Sequence, residues 1–68
     1  MIKLGFYEHY KKKKYEVIGV AKHSETLEEM VVYKALYDNG LLWVRPLKMF
    51  VEEVEIDGQK VPRFKYLG

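Results

Sequence analysis

An all-β fold of short antiparallel strands is what this sequence predicts, and three observations predict it. β-Branched and aromatic residues gather in short runs, above all Tyr15 to Ala21 and Met30 to Tyr37. Turn signals separate the runs, with Asn39-Gly40 and Asp57-Gly58 the clearest. The one helix-start signal, Thr26-x-x-Glu29, leads into Val31, Val32 and Tyr33, which prefer strands. At most a single helical turn is expected within residues 25 to 29.

Taken in order, Gly5-Phe6-Tyr7-Glu8-His9-Tyr10 is an extended opener, and Lys11 to Lys14 form a charged connection. Tyr15 to Lys22 is the first well-marked strand, with Gly19 signalling a bend or a close backbone contact. The polar cluster His23-Ser24-Glu25-Thr26-Leu27-Glu28 turns the chain into a second strand, Met30 to Tyr37. Asn39-Gly40 accommodates the positive φ angles of a type I′ turn, so Leu41 to Arg45 should fold back antiparallel on that strand. Pro46 ends it, for want of an N–H. Leu47 to Phe50 reads as a short turn or one turn of 3₁₀ helix. Val51 to Ile56 is a further strand, Asp57-Gly58 a second hairpin signal, and Gln59 to Leu67 closes the chain as strand broken at Pro62.

Five to six short strands in 68 residues fit a small, strongly bent SH3-like antiparallel barrel with one short 3₁₀ turn. An OB variant needs more residues. Adjacent apolar positions such as Val31-Val32 and Leu41-Leu42 suggest that the outer face is also covered, by a terminal segment or another subunit.

The length allows one domain over residues 1–68, with no room for two cores. The absence of cysteine removes disulfides and thiolate zinc sites and fits a reducing compartment. No leader-like segment and no long apolar stretch is present, so a cytoplasmic protein without membrane contact is expected. The net charge of +2 is too small to mark a nucleic-acid binder by itself. It is unevenly spread: residues 1 to 22 carry +4, residues 23 to 57 carry −5 and residues 58 to 68 carry +3. Six tyrosines in so short a chain suggest half-buried rings near a groove or a homodimer interface.

The strings HSETLEEMVVYKALY, LLWVRPLKMFVEEV and VPRFKYL carry a family pattern: HSET-x-E, VVY, WVRP and F-x-E-x-V. On these motifs, which span about Tyr7 to Leu67, the chain resembles the small bacterial family known as domain of unknown function 1653. The resemblance implies an SH3-type barrel and brings no assigned activity. Family members tend to carry a glycine where Lys11 to Lys14 stand here.

Two segments are candidates for a site. His23, Ser24, Glu25, Thr26 and Glu28 place an imidazole, two hydroxyls and two carboxylates in one turn. In extended backbone His23 and Ser24 face opposite ways, so they form no nucleophile–base pair as neighbours. The cluster either fastens the loop through backbone hydrogen bonds or receives a polar ligand. Trp43 and Arg45 alternate on the next strand and share a face. Trp43 either caps a small core or stacks on a flat ligand. Arg45 either clamps an anion or pairs with Glu25, Glu28, Glu52 or Glu53, and the acidic middle favours the pair.

The run Lys11, Lys12, Lys13, Lys14 offers a phosphate grip but is ordinary as a solvated connection. His9 and His23 match no metal-ligand spacing, and no phosphate loop or nucleophile elbow is present. No catalytic residue, metal or cofactor is expected. The chain reads as a binding or interaction module for a small polar or anionic ligand, or for a peptide or protein partner. The alternatives are a nucleic-acid-binding module working through the lysine edge and a small hydrolase using His23 as base.

Overall fold

The computed structural model describes residues 2–68, and their fold is mostly strand. The strands are β1 (Gly5–His9), β2 (Lys14–Lys22), β3 (Glu29–Ala35), β4 (Leu42–Pro46), β5 (Glu53–Ile56), β6 (Gln59–Pro62) and β7 (Phe64–Tyr66). One helical turn, α1 (Leu47–Phe50), separates β4 from β5. It closes with an α-type bond from Val51 N–H to Leu47 C=O and a 3₁₀-type bond from Glu52 N–H to Met49 C=O.

The all-β class expected from the sequence is the class found, with seven strands in place of five to six. The strands make two sheets, a five-stranded antiparallel one in the order β4-β3-β2-β1-β7 and the separate hairpin β5-β6. No ladder joins β4 to β7, so the expected barrel is an open sheet with two edges. No helical turn forms within residues 25 to 29: the chain turns at residues 24 to 26 and Glu29 already opens β3.

Cross-strand register decides which side chains meet. Val17 opposes Tyr33, Val20 opposes Val31, Tyr7 opposes Tyr15 and Tyr66, and His9 opposes Phe64. These pairs share one face, and that face carries the core. Tyr7, Val17, Val31, Tyr33, Phe50 and Phe64 are buried there, with Ile2, Tyr15 and Leu47 packed against them. Phe50 is the contribution of α1. Its ring stacks on Phe64 at 4.0 Å and meets Tyr7 and Tyr33 edge-on at 5.4 Å each. Pro46 at φ −52° starts that turn and swings Phe50 across the sheet.

Gly19 marks a bend as its position suggested. The β2–β3 register slips between Val17 and Gly19, a bulge that strengthens the local twist. Asp57 and Gly58 both take positive φ, 50° and 80°, as a two-residue type I′ turn requires. The Asn39-Gly40 turn departs from expectation. β3 ends at Ala35 and β4 begins at Leu42, and the connection from Leu36 to Leu41 has positive φ at Asp38 and Gly40 and none at Asn39. The reason is Tyr37, whose hydroxyl lies 2.5 Å from that of Tyr15. That anchor draws Tyr37 away from the ladder, and Ala35 N–H closes the hairpin on Leu41 C=O.

Candidate functional site

The β2–β3 connection resolves into a closed hydrogen-bonded turn. His23 Nδ1 accepts the backbone N–H groups of Glu25 at 3.1 Å and Thr26 at 3.3 Å. Thr26 Oγ1 accepts Glu28 N–H, His23 N–H donates to Glu28 C=O, and Leu27 N–H donates to His23 C=O. Leu27 absorbs the reversal at φ 63°. With Nδ1 accepting backbone protons, the neutral imidazole carries its own proton on Nε2. The Glu28 carboxylate reaches forward to Lys48 at 3.7 Å, and Ser24 and Glu25 stay exposed. Among the described residues, no side-chain hydrogen bond or ion pair joins this turn to Trp43 or Arg45.

Trp43 and Arg45 do share a face. β4 pairs Trp43 with Tyr33 and Arg45 with Val31, and both partners are buried in the core. Trp43 therefore stands at the rim of the core face, 48% exposed rather than capping the core. The carboxylate partner expected for Arg45 is not found among the described residues, because Glu28 is taken by Lys48 and Glu52 by Arg63. The Arg45 guanidinium instead lies over the Phe64 ring, 5.8 Å from its centroid, with Nε–H directed to the Tyr33 hydroxyl at 3.4 Å.

A histidine that sequence reasoning passed over shares that ring. His9 packs edge-on against Phe64 at 4.9 Å and lies 6.5 Å from Tyr15. Partial burial holds the His9 imidazole below its ordinary value, and the positive charges of Arg45, Arg63 and Lys11 push it the same way. Burial and the Tyr37 hydrogen bond raise the Tyr15 hydroxyl far above the usual tyrosine range, so it stays neutral. Arg63 donates from Nη2 to Glu52 at 2.9 Å, and its buried Nε–H makes no hydrogen bond among the described residues. Around the Phe64 ring the fold thus gathers the Arg45 guanidinium, His9 and the rings of Tyr15 and Tyr33.

The lysine connection is exposed throughout. Lys13 lies over the Tyr37 ring at 4.8 Å and Lys11 over Tyr10 at 5.8 Å. Beside it, an open groove of about 500 Å³ separates the β5-β6 hairpin from β1 and β7, lined by His9, Tyr10, Ile56, Val61 and Pro62 among others. Among the described residues no cluster of metal-ligating side chains forms, and no helix is long and apolar enough to cross a membrane.

The family model described as protein of unknown function DUF1653 matches residues 5–66. The chain belongs to this family. A crystal structure of a DUF1653 protein from Bordetella bronchiseptica is 39% identical, with a TM-score of 0.91, over 98% of this chain and 88% of that one. Comparison with curated proteins gives no match. DUF1653 membership therefore agrees with the fold and carries no assigned activity, and chemistry must be argued from the side chains.

Proposed function

We propose that this DUF1653 chain is a binding module whose core-face rim, centred on Arg45, recognises a small anionic ligand. One observation carries the reading: Arg45 is half-buried and, among the described residues, has no carboxylate partner although the middle of the chain is rich in acids. A guanidinium held between an aromatic face and a hydroxyl keeps donors of its planar fork free for a carboxylate or phosphate. Trp43, two positions away on the same face, offers a flat surface for the ligand's body. Arg45, Arg63 and Lys11, whose positive charges add to burial in lowering the His9 pKa, set the field such a ligand would enter. In this reading His23, Ser24, Glu25, Thr26 and Glu28 fasten the β2–β3 turn and leave recognition to the neighbouring strand.

An NMR titration with carboxylates, phosphate esters and mononucleotides tests it. Resonances of Arg45, Tyr33 and Trp43 should shift together, and Arg45→Gln should remove the response. Silence at millimolar ligand, or shifts confined to residues 23 to 28, would overturn the assignment.

A second reading, nucleic-acid binding, is supported by the Lys13–Tyr37 and Lys11–Tyr10 pairs, which set cations beside aromatic surfaces on the exposed connection. It expects binding of single-stranded oligonucleotides that weakens steeply with salt. No binding at low salt removes it.

A further inference from the structure

We infer that β4 is a homodimerisation edge, on which a second copy of this chain adds its own β4 antiparallel. The inference stands apart from the anion reading and rests on different observations.

The two edges of the main sheet differ in kind. β7 is three residues long and has Lys65 at its centre, a short charged edge of the type that discourages pairing. β4 and the residue before it present four consecutive uncharged apolar residues. Leu41 is 57% exposed, Leu42 63%, Trp43 48% and Val44 60%. No charge interrupts the run between Asp38 and Arg45. A bare apolar edge of this kind is a template for another strand.

Backbone geometry says which strand fits. Ala35 donates to Leu41 C=O, so Ala35 and Leu41 form a hydrogen-bonded pair of the β3–β4 ladder. Alternation then turns the N–H and C=O groups of Trp43 and Arg45 toward β3 and those of Leu42 and Val44 toward the open edge. A second β4 running antiparallel about a two-fold axis at Trp43 sets Leu42 opposite Val44 of the second copy, and Val44 opposite its Leu42. Each chain donates from those two residues and accepts on the same two. The edge is complementary to itself, which is the requirement of an isologous contact.

Side chains agree with that register. Trp43 faces Trp43 of the second copy in a non-hydrogen-bonded pair, the site where side chains approach closest. Leu42 and Val44 meet on the opposite face. Charge agrees as well. Asp38 precedes β4, whereas Arg45 and Lys48 lie at and beyond its end. The antiparallel arrangement brings the acidic end of one copy to the basic end of the other, while a parallel one would stack like charges. The contact joins the two five-stranded sheets into one and sets the two Arg45-bearing faces side by side. A strip one strand wide is a small interface, so exchange with monomer on dilution is expected.

Sedimentation equilibrium of the full chain over a wide concentration range should give twice the 8.1 kDa chain mass at high concentration. Val44→Lys should leave the circular dichroism spectrum unchanged and hold the protein at monomer mass. Val44→Pro provides a second route, because that N–H faces outward and its loss spares the β3 ladder. The chain has no cysteine, so Trp43→Cys tests the register directly. Cα atoms in a non-hydrogen-bonded pair lie about 4.5 Å apart, within disulfide reach. Oxidised Trp43→Cys should form a covalent dimer several-fold faster than Leu42→Cys. A wild-type protein that stays at monomer mass to millimolar concentration, a dimer that survives both Val44 substitutions, or equal cross-linking of the two cysteine variants would each overturn the inference.

Discussion

The turn at residues 23 to 28 and the strand at residues 42 to 46 both carry polar chemistry, and they use it in opposite ways. In the turn the polar groups consume one another. His23 Nδ1 takes two backbone protons, Thr26 takes a third, and Glu28 reaches Lys48. On the strand Arg45, among the described residues, meets an aromatic face and a hydroxyl and no carboxylate. On the proposed reading, a density of functional groups is a poor guide to a binding site. What separates the two regions is how much hydrogen-bonding capacity the fold leaves unspent.

That contrast can be broken or sharpened by substitution. The largest effect is expected from Phe50→Ala, which removes the ring stacked on Phe64 beneath the Arg45 region. Burial of this kind is worth about 3–5 kcal/mol, comparable with the whole stability of a small domain. Urea denaturation should show partial or complete unfolding, and a loss below about 1 kcal/mol would mean that the core closes over the gap. Next comes Arg45→Gln. It should weaken the best anionic ligand about 10- to 100-fold, the worth of a charged hydrogen bond, while the melting temperature barely moves. His23→Ala should reverse that profile. It strands the backbone N–H groups of Glu25 and Thr26 at a cost of about 1 kcal/mol and leaves ligand affinity alone. If His23→Ala costs affinity without stability, the two regions have been assigned the wrong way round.

The smallest effect is the pH dependence from His9. Its folded value lies below the ordinary 6.5, so the unfolded chain binds the proton more readily. Stability from this group is complete above pH 6.5 and is lost as pH falls below it toward the folded value. Thermal unfolding followed downward from pH 7.5 should show the decline, and His9→Gln should flatten it. A bound anion should raise the His9 value, which the imidazole proton shift reads directly.

Much of the fold was legible because local chemistry decides it. Asp57-Gly58 formed its type I′ turn, and Gly19 its bend, from properties of those residues alone. The site was less legible because it depends on register. A two-residue turn at Asn39-Gly40 would set Arg45 opposite Lys34 and Trp43 opposite Leu36. The longer connection instead sets them opposite Val31 and Tyr33, on the core face. That shift comes from Tyr15 and Tyr37, which lie 22 positions apart and meet at their hydroxyls. No local pattern announces such a contact. His9 was missed for the same reason, since its place on the Phe64 ring depends on β1 pairing with β7. The alternation of Tyr7 and His9 in the opener was the one signal that put His9 on the core face.

The β5-β6 hairpin belongs to neither region. It shares no ladder with the main sheet, and the ends of its strands and its tip at Asp57-Gly58 are exposed. A peptide tag or a fluorescent label spliced between those two residues would therefore lengthen a loop without shifting the β1–β4 register, making the tip a natural port for a reporter that follows events at the opposite edge of the sheet.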